Sequence, residues 1–332
     1  MKKTLLLLTS IIYAMTATAI VKDFKKGIWP VTDFGSECSP QIYVSRYQGD
    51  RPAAISYTFD DGLLEHYTVL RGQLAKHGFH ATFAIVGSKV GRDFKGTPAM
   101  TWEQIRQLHA DGHEIASHGW EHRNVTVLTP EELRREVQAN DSIIIDSVGV
   151  RPRTFVYPGN RRSKESVAVC EAGRTGSRTR QMSLGSKRTD AELRRWVDGL
   201  VSSGGWGITM THGISCGYDH FADPGILWRH FDHVDSLRQS VWVATLADVT
   251  AYTSEQRAVR ISIRNSGAGS ITVAPSLRLD RDLFNVPLTL VVCTDRTVSA
   301  VQDGRPLEVE VKAGRRLIGF NPHGGPIIIS GL

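Results

Sequence analysis

Ala53-Ala54-Ile55-Ser56-Tyr57-Thr58-Phe59-Asp60-Asp61-Gly62 is an apolar run that ends in two adjacent carboxylates and a glycine. Like charges at the end of a buried strand repel each other and are costly to desolvate, so a cation or a proton must compensate them. The alternative is an acidic turn in solvent, since turns favour Asp and Gly. The remainder of the chain has to decide between the two.

Outward from this stretch, strand-like and helix-like segments alternate as far as about Tyr252. Leu63, Leu64, Tyr67, Leu70 and Leu74 fall at helical spacing, and Gly78 ends that run. Phe79 to Val86 reads as a strand. Thr101-Trp102-Glu103-Gln104 is a capping box opening a helix, and His113 to Ser117 is a third strand. Thr129-Pro130-Glu131-Glu132 starts a longer helix, with Leu133, Val137, Ile144 and Val148 on its apolar side. Thr154 to Tyr157, Trp206 to Thr211 and Val241 to Ala244 are further strands. Helices are expected from Ser163, from Asp190, from Asp223-Pro224 and near Asp248. This alternation predicts an α/β fold of parallel strands with helices outside, and about seven strands suit an incomplete (β/α) barrel.

Past Ala258 the pattern changes to short alternating stretches, such as Ile261-Ser262-Ile263 and Ile327-Ile328-Ile329, broken by Gly, Pro and Asn. The expected organisation is a signal peptide at 1–19, a lead-in segment at 20–52, a catalytic domain at 53–257 and a small β-sandwich-like domain at 258–332. Lys2-Lys3, a short apolar stretch and Ala17-Thr18-Ala19 form a cleavable export signal, which places the mature protein in the periplasm or outside the cell. No later stretch has the roughly 20 apolar residues of a membrane span. Without Lys2 and Lys3 the formal charge falls from +6 to +4, with no block of like charge, and nucleic-acid binding finds no support. Cys38, Cys170, Cys216 and Cys293 match no metal-binding spacing; most are expected to be buried thiols, with room for one bridge.

Two further signals carry chemistry. His118 and His122, in Ser117-His118-Gly119-Trp120-Glu121-His122, are four residues apart, a spacing that lets both rings reach one ion from a helix face or a tight turn. Thr211-His212-Gly213 ends another apolar strand, and an imidazole there suits a general acid. His220, His230 and His233 lie in or near a polar helical stretch and are expected at the surface. Asp60-Asp61, His118, His212 and Tyr157-Pro158 each follow a different predicted strand. In parallel α/β folds those strand ends share one face, which carries the active site.

With these three motifs in order, residues 50–252 resemble the polysaccharide deacetylases, the family of the NodB-homology domain. Thr58 to Gly62 is the family's first motif intact, Ser117, His118 and His122 its second, and Thr211 to Ile214 its late Thr-His-Gly-Ile element. The resemblance implies a distorted (β/α) barrel that removes acetyl groups from an acetylated poly- or oligosaccharide, most often N-acetyl groups, with a divalent metal, usually Zn2+. Carried over residue by residue, it makes Asp60 the general base, Asp61, His118 and His122 the metal ligands, and His212 the general acid. An O-acetyl ester deacetylase of the acetylxylan type and a silent carbohydrate-binding protein are the alternatives. The third motif departs from the family. Aligned on Pro158, Val156 replaces the arginine that contacts the catalytic carboxylate, and Tyr157, Pro158 and Gly159 become the substrate and oxyanion candidates. Arg153, Arg161 and Arg162 are the nearby arginines that could supply the missing charge. A fourth motif matches Trp196 and Asp198 only loosely.

Overall fold

The structure is a computed structural model that describes residues 41–332 and the backbone of 28–29. The predicted signal at 1–19, most of the lead-in segment and Cys38 lie outside the described residues. The described residues divide into two compact units, one spanning Arg51–Ala251 and the other joining the described residues up to Asp50 with Tyr252–Leu332.

In the first unit, the opening stretch is the stave on which two parallel sheets meet. Ala53–Ser56, wholly buried, lies between Trp206–Met210 and Val241–Val243. Past Tyr57 the strand resumes as Thr58–Phe59, which pairs with Thr82–Ile85 and, through Phe59, with Thr211. The second sheet continues through Glu114–Ser117, Thr154–Val156 and Gly176–Arg178, while Met182–Ser183 extends the first beyond Trp206–Met210. A strand shared in this way curls the two sheets into an incomplete barrel. Ala53–Ser56 and Thr82–Ile85 are buried at every position because helices cover a parallel sheet on its outer face.

The helices begin where side chains can satisfy their first amides. Thr101 with Gln104, Thr129 with Glu132, Ser163 with Ser166 and Thr189 with Glu192 each form a capping box, and Pro130 takes a first-turn position where its missing N–H costs nothing. The cap of the fourth is Thr189, one residue before the expected Asp190. Leu70, Leu74, Ile105, Leu108, Ile144, Leu193 and Phe231 pack against Tyr57, Phe59, Phe83 and Ile85 in one cluster.

Two differences from the sequence reading matter. Gly176–Arg178 and Met182–Ser183 are barrel strands, although their composition carries no apolar signal. His230, expected at the surface, is 3% exposed, and the Tyr57 hydroxyl lies 2.9 Å from its Nε2. Burial pushes His230 down to about 3, so the imidazole paired with that hydroxyl is neutral. His220 is exposed and His233 half-buried. Cys170, Cys216 and Cys293 are free thiols, and of these Cys216 is exposed.

The second unit contains two five-stranded sheets with antiparallel pairing. Ile42–Val44 pairs with Leu288–Cys293 in one of them, so part of the lead-in segment is a strand of this unit. No described helix is long and apolar enough to cross a membrane.

Candidate metal and catalytic site

Asp61 adopts φ 74° and Gly62 φ 68°, so the chain leaves the strand Thr58–Phe59 through a left-handed turn. For an aspartate this backbone is strained, which is common where a site dictates geometry. Asp61 Oδ1 lies 3.5 Å from Nε2 of His118 and 3.5 Å from Nε2 of His122. One ligand atom from each of the three residues falls within 4.8 Å of the others, a spread that fits one ion. His118 Nδ1 donates to the Val156 carbonyl at 2.7 Å, which leaves Nε2 with its lone pair facing the site.

Electrostatics support the same reading. Asp61 Oδ1 is buried and has no hydrogen-bond partner, a costly state unless positive charge faces it. Burial disfavours the charged form of His118, yet the Asp61 and Asp60 carboxylates beside it outweigh that and raise it. Positive charge is thus favoured at the centre, as the adjacent carboxylates demanded from sequence. A divalent cation fits these three donors.

The helix Pro130–Val148 holds the ligand loops through two polar residues one turn apart. Glu136 Oε1 accepts from the amides of Glu121 at 2.8 Å and Arg123 at 3.3 Å, on either side of His122, which itself stands at φ 60°. Asn140 accepts from Gly87 N and donates to the Ile85 carbonyl and Ser117 Oγ, just before His118. Gly119 is required beneath this arrangement, because a Cβ there would come within 2.8 Å of Glu136 Oε1.

Asp60 faces a different partner. Arg178 donates from Nη1 to Asp60 Oδ1 at 2.7 Å and from Nη2 to Oδ2 at 2.6 Å, and its side chain is fully buried. Its Nη1 also reaches Thr58 Oγ1, and its Nη2 reaches Asn160 Oδ1. Burial would raise the Asp60 carboxyl, but the guanidinium outweighs it and holds the group well below the usual carboxylate range. The arginine absent from position 156 is therefore supplied by the end of a neighbouring strand. Arg153 instead lies 3.8 Å from Asp248, and Arg161 and Arg162 are exposed. One signal could have found Arg178: some twenty residues separate the helices expected from Ser163 and Asp190, too long for a structureless loop inside a barrel.

His212 Nε2 stands 3.9 Å from Asp60 Oδ2. Two neighbours of the Asp-Asp turn hold the loop that follows it. His66, fully buried and pushed down to about 4 by that burial, donates from Nε2 to the His212 carbonyl at 2.8 Å. Glu65 accepts from the amides of Ile214, Ser215 and Cys216 and from the Ser215 hydroxyl. Neither residue stood out in the sequence.

The remaining candidates divide. The Tyr157 ring packs on Phe155 and its hydroxyl donates to Ser177, so that side chain belongs to the core; Pro158 is buried as well. Gly159 is exposed at φ 61°, leaving its backbone available. Trp196 packs on His230 within the helix packing, while Asp198 is exposed at the surface, 3.7 Å from His233. His212 Nδ1 is buried without a partner.

Residues 48–175 match the polysaccharide deacetylase family model, which stops just short of Arg178 and well short of His212. A chitin deacetylase of Cryptococcus neoformans is 26% identical over 177 residues, which are 53% of this chain and 36% of that protein. A gellan lyase of a Bacillus species is 23% identical over 319 residues, 83% of this chain but 12% of that much longer protein. The chain thus spans only a minor part of these relatives' length. A solved structure from Mycobacterium smegmatis, assigned to the polysaccharide deacetylases, superposes with a TM-score of 0.51 at 16% identity, covering 67% of this chain and 96% of that one. That likeness concerns the fold, while the family match covers the first two motifs and the elements that carry them. Over residues 48–175 the chain is thus similar to the polysaccharide deacetylases, and it shares the fold of a solved structure assigned to them.

Proposed function

We propose that the protein is an exported, metal-dependent hydrolase that removes N-acetyl groups from a hexosamine-containing poly- or oligosaccharide. The observation that carries this reading is the division of labour between adjacent carboxylates. Asp61 joins His118 and His122 around a cation-sized space, while Asp60 is clamped by Arg178 and faces His212. Names of relatives support the substrate class: besides the chitin deacetylase, a peptidoglycan-N-acetylglucosamine deacetylase of Listeria monocytogenes is 27% identical over 112 residues, 33% of this chain and 22% of that protein. Export rests on the basic and apolar N-terminus.

Held this low, Asp60 is ionised throughout the working pH range and is a weak base, so it needs an acidified nucleophile. A divalent cation on Asp61, His118 and His122, Zn2+ being the family's usual ion, would acidify water and polarise the acetyl carbonyl. Asp60 accepts the proton, its orientation set by the two Arg178 bonds. His212 delivers a proton to the departing amine. The Gly159 backbone N–H is the donor proposed for the developing oxyanion.

The test is acetate release from N-acetylated oligosaccharides, peptidoglycan fragments and O-acetylated xylan, with wild type and Asp60→Asn loaded with zinc. Wild type is expected to release acetate from the first two, and Asp60→Asn to lose at least about 10²-fold in kcat, the usual scale of a positioned base. Undiminished turnover in Asp60→Asn would refute the assignment. Activity confined to acetylated xylan would move the protein to ester hydrolysis.

A further inference from the structure

Among the described residues, every Phe and Trp and every Tyr but one is buried or half-buried. The exception is Tyr218, 70% exposed, and it stands against the proposed acid: its ring centroid is 4.9 Å from that of His212, with the planes at 89°. A single exposed aromatic on a large surface is ordinary. Its placement against a catalytic side chain is not.

The backbone beneath it is fixed from both sides. Gly213 N donates to the Tyr218 carbonyl at 3.1 Å, and Phe221 N to the Ile214 carbonyl at 3.1 Å, closing the loop on itself. Asp219 adopts φ 52° and accepts from Ser183 Oγ, Ser186 N and Ser186 Oγ. Gly217, at φ 84°, is so close to Thr97 that a Cβ would come within 2.9 Å of its hydroxyl. Glu65 grips the start of the same loop through three amides. An exposed ring on a backbone this constrained loses little freedom when something covers it. Burial would relieve the apolar area now in water, and the phenol hydroxyl would stay hydrated at the margin.

We propose that Tyr218 is a stacking platform for a pyranose ring, engaging the sugar that adjoins the residue whose acetyl group faces Asp60 and His212; this rests on the deacetylase reading above. A pyranose offers a face of C–H groups ringed by hydroxyls, and an aromatic ring matches that face while leaving the hydroxyls in water. The reacting acetyl group occupies the space between Asp60, His212 and the metal ligands. The ring beside His212 therefore meets the neighbouring unit of the chain, and it acts on substrate length rather than on the bond broken.

The experiment compares the zinc-loaded mature protein with Tyr218→Ala and Tyr218→Trp on an N-acetylglucosamine pentamer and on a small aryl acetate. The readout is the ratio of the two kcat/KM values, which is insensitive to the fraction of active protein. Tyr218→Ala is expected to lower the ratio about tenfold or more, through KM for the pentamer, and Tyr218→Trp to restore it. A ratio within about twofold of wild type in Tyr218→Ala overturns the proposal, because the ring then only packs against His212. Calorimetric binding of the pentamer separates this inference from the function it rests on. If wild type releases no acetate yet binds the pentamer about tenfold more tightly than Tyr218→Ala, the hydrolase reading fails and the platform stands. Equal binding by the two proteins overturns the platform.

Discussion

Arg178 and Asp60 meet as a planar pair, two parallel hydrogen bonds of 2.7 and 2.6 Å joining residues 118 positions apart in the chain. Lysine cannot reproduce this fork, because its charge sits on one nitrogen. Arg178→Lys is expected to lower kcat by about 10²-fold, the scale for a misplaced catalytic group, with a smaller change in KM. Arg178→Met leaves a buried carboxylate uncompensated and should cost about 3–5 kcal/mol of stability in urea titration. Full activity in Arg178→Lys would show that Asp60 needs charge but not orientation.

Glu136 is not one of the three proposed ligands, yet its carboxylate holds the amides flanking His122. Glu136→Ala should lower zinc affinity about 10–100-fold, as loss of outer support for a metal ligand typically does. Competition with a chromogenic chelator measures this directly. Glu136→Gln keeps an acceptor oxygen and should recover most of the affinity; if Glu136→Ala binds zinc as tightly as wild type, His122 is positioned by other means.

His66 stacks near Phe59 and Phe83 and donates one hydrogen bond to the His212 carbonyl. His66→Phe preserves the aromatic packing and deletes the donor. The expected result is a fall of about tenfold in kcat at nearly constant KM and zinc affinity, with partial recovery in His66→Asn. A loss of stability with unchanged kcat would confine His66 to a role in folding.

Stability should fall as the pH drops from 7 toward 5. Burial pushes His66 and His113 down to about 4 and His230 to about 3, while in the unfolded chain each sits near 6.5. Between those values the unfolded state binds more protons, so stability drops as pH falls, by about 1.4 kcal/mol per pH unit for each histidine. Urea midpoints of the chelator-treated protein at pH 7 and pH 5 measure the slope. Equal midpoints would mean that these imidazoles are hydrated and free to charge.

The proposed metal ligands and both proton-transfer candidates stand out in the sequence because each belongs to a short motif at or just past the end of an apolar strand. Asp61, His118 and His122 are brought within ligand distance of one another, and His212 lies beside Asp60. Arg178, Glu136, Glu65 and His66 were not legible, for a common reason. Each is defined by a partner remote in sequence, and only the register of the strands decides which residues meet. Gly176–Arg178 hid its arginine further, since a strand of Gly, Ser and Arg has no periodic apolar signal. His230 was misread because a polar helix face says nothing about the Tyr57 hydroxyl waiting beneath it.

Thr58, Asp60, Asp61, Glu65 and His66 fall within nine consecutive positions, and between them they contact Arg178, His118, His122, His212 and the loop after it. Spacing within this nonapeptide is therefore a shared ruler for the whole site. One residue inserted between Phe59 and Glu65 would throw the contacts of several residues out of step at once, whereas a point change would remove only the contacts of the residue replaced. For anyone grafting the chemistry onto another barrel, residues 58–66 are the segment to move intact, and the rim loops are the parts to vary.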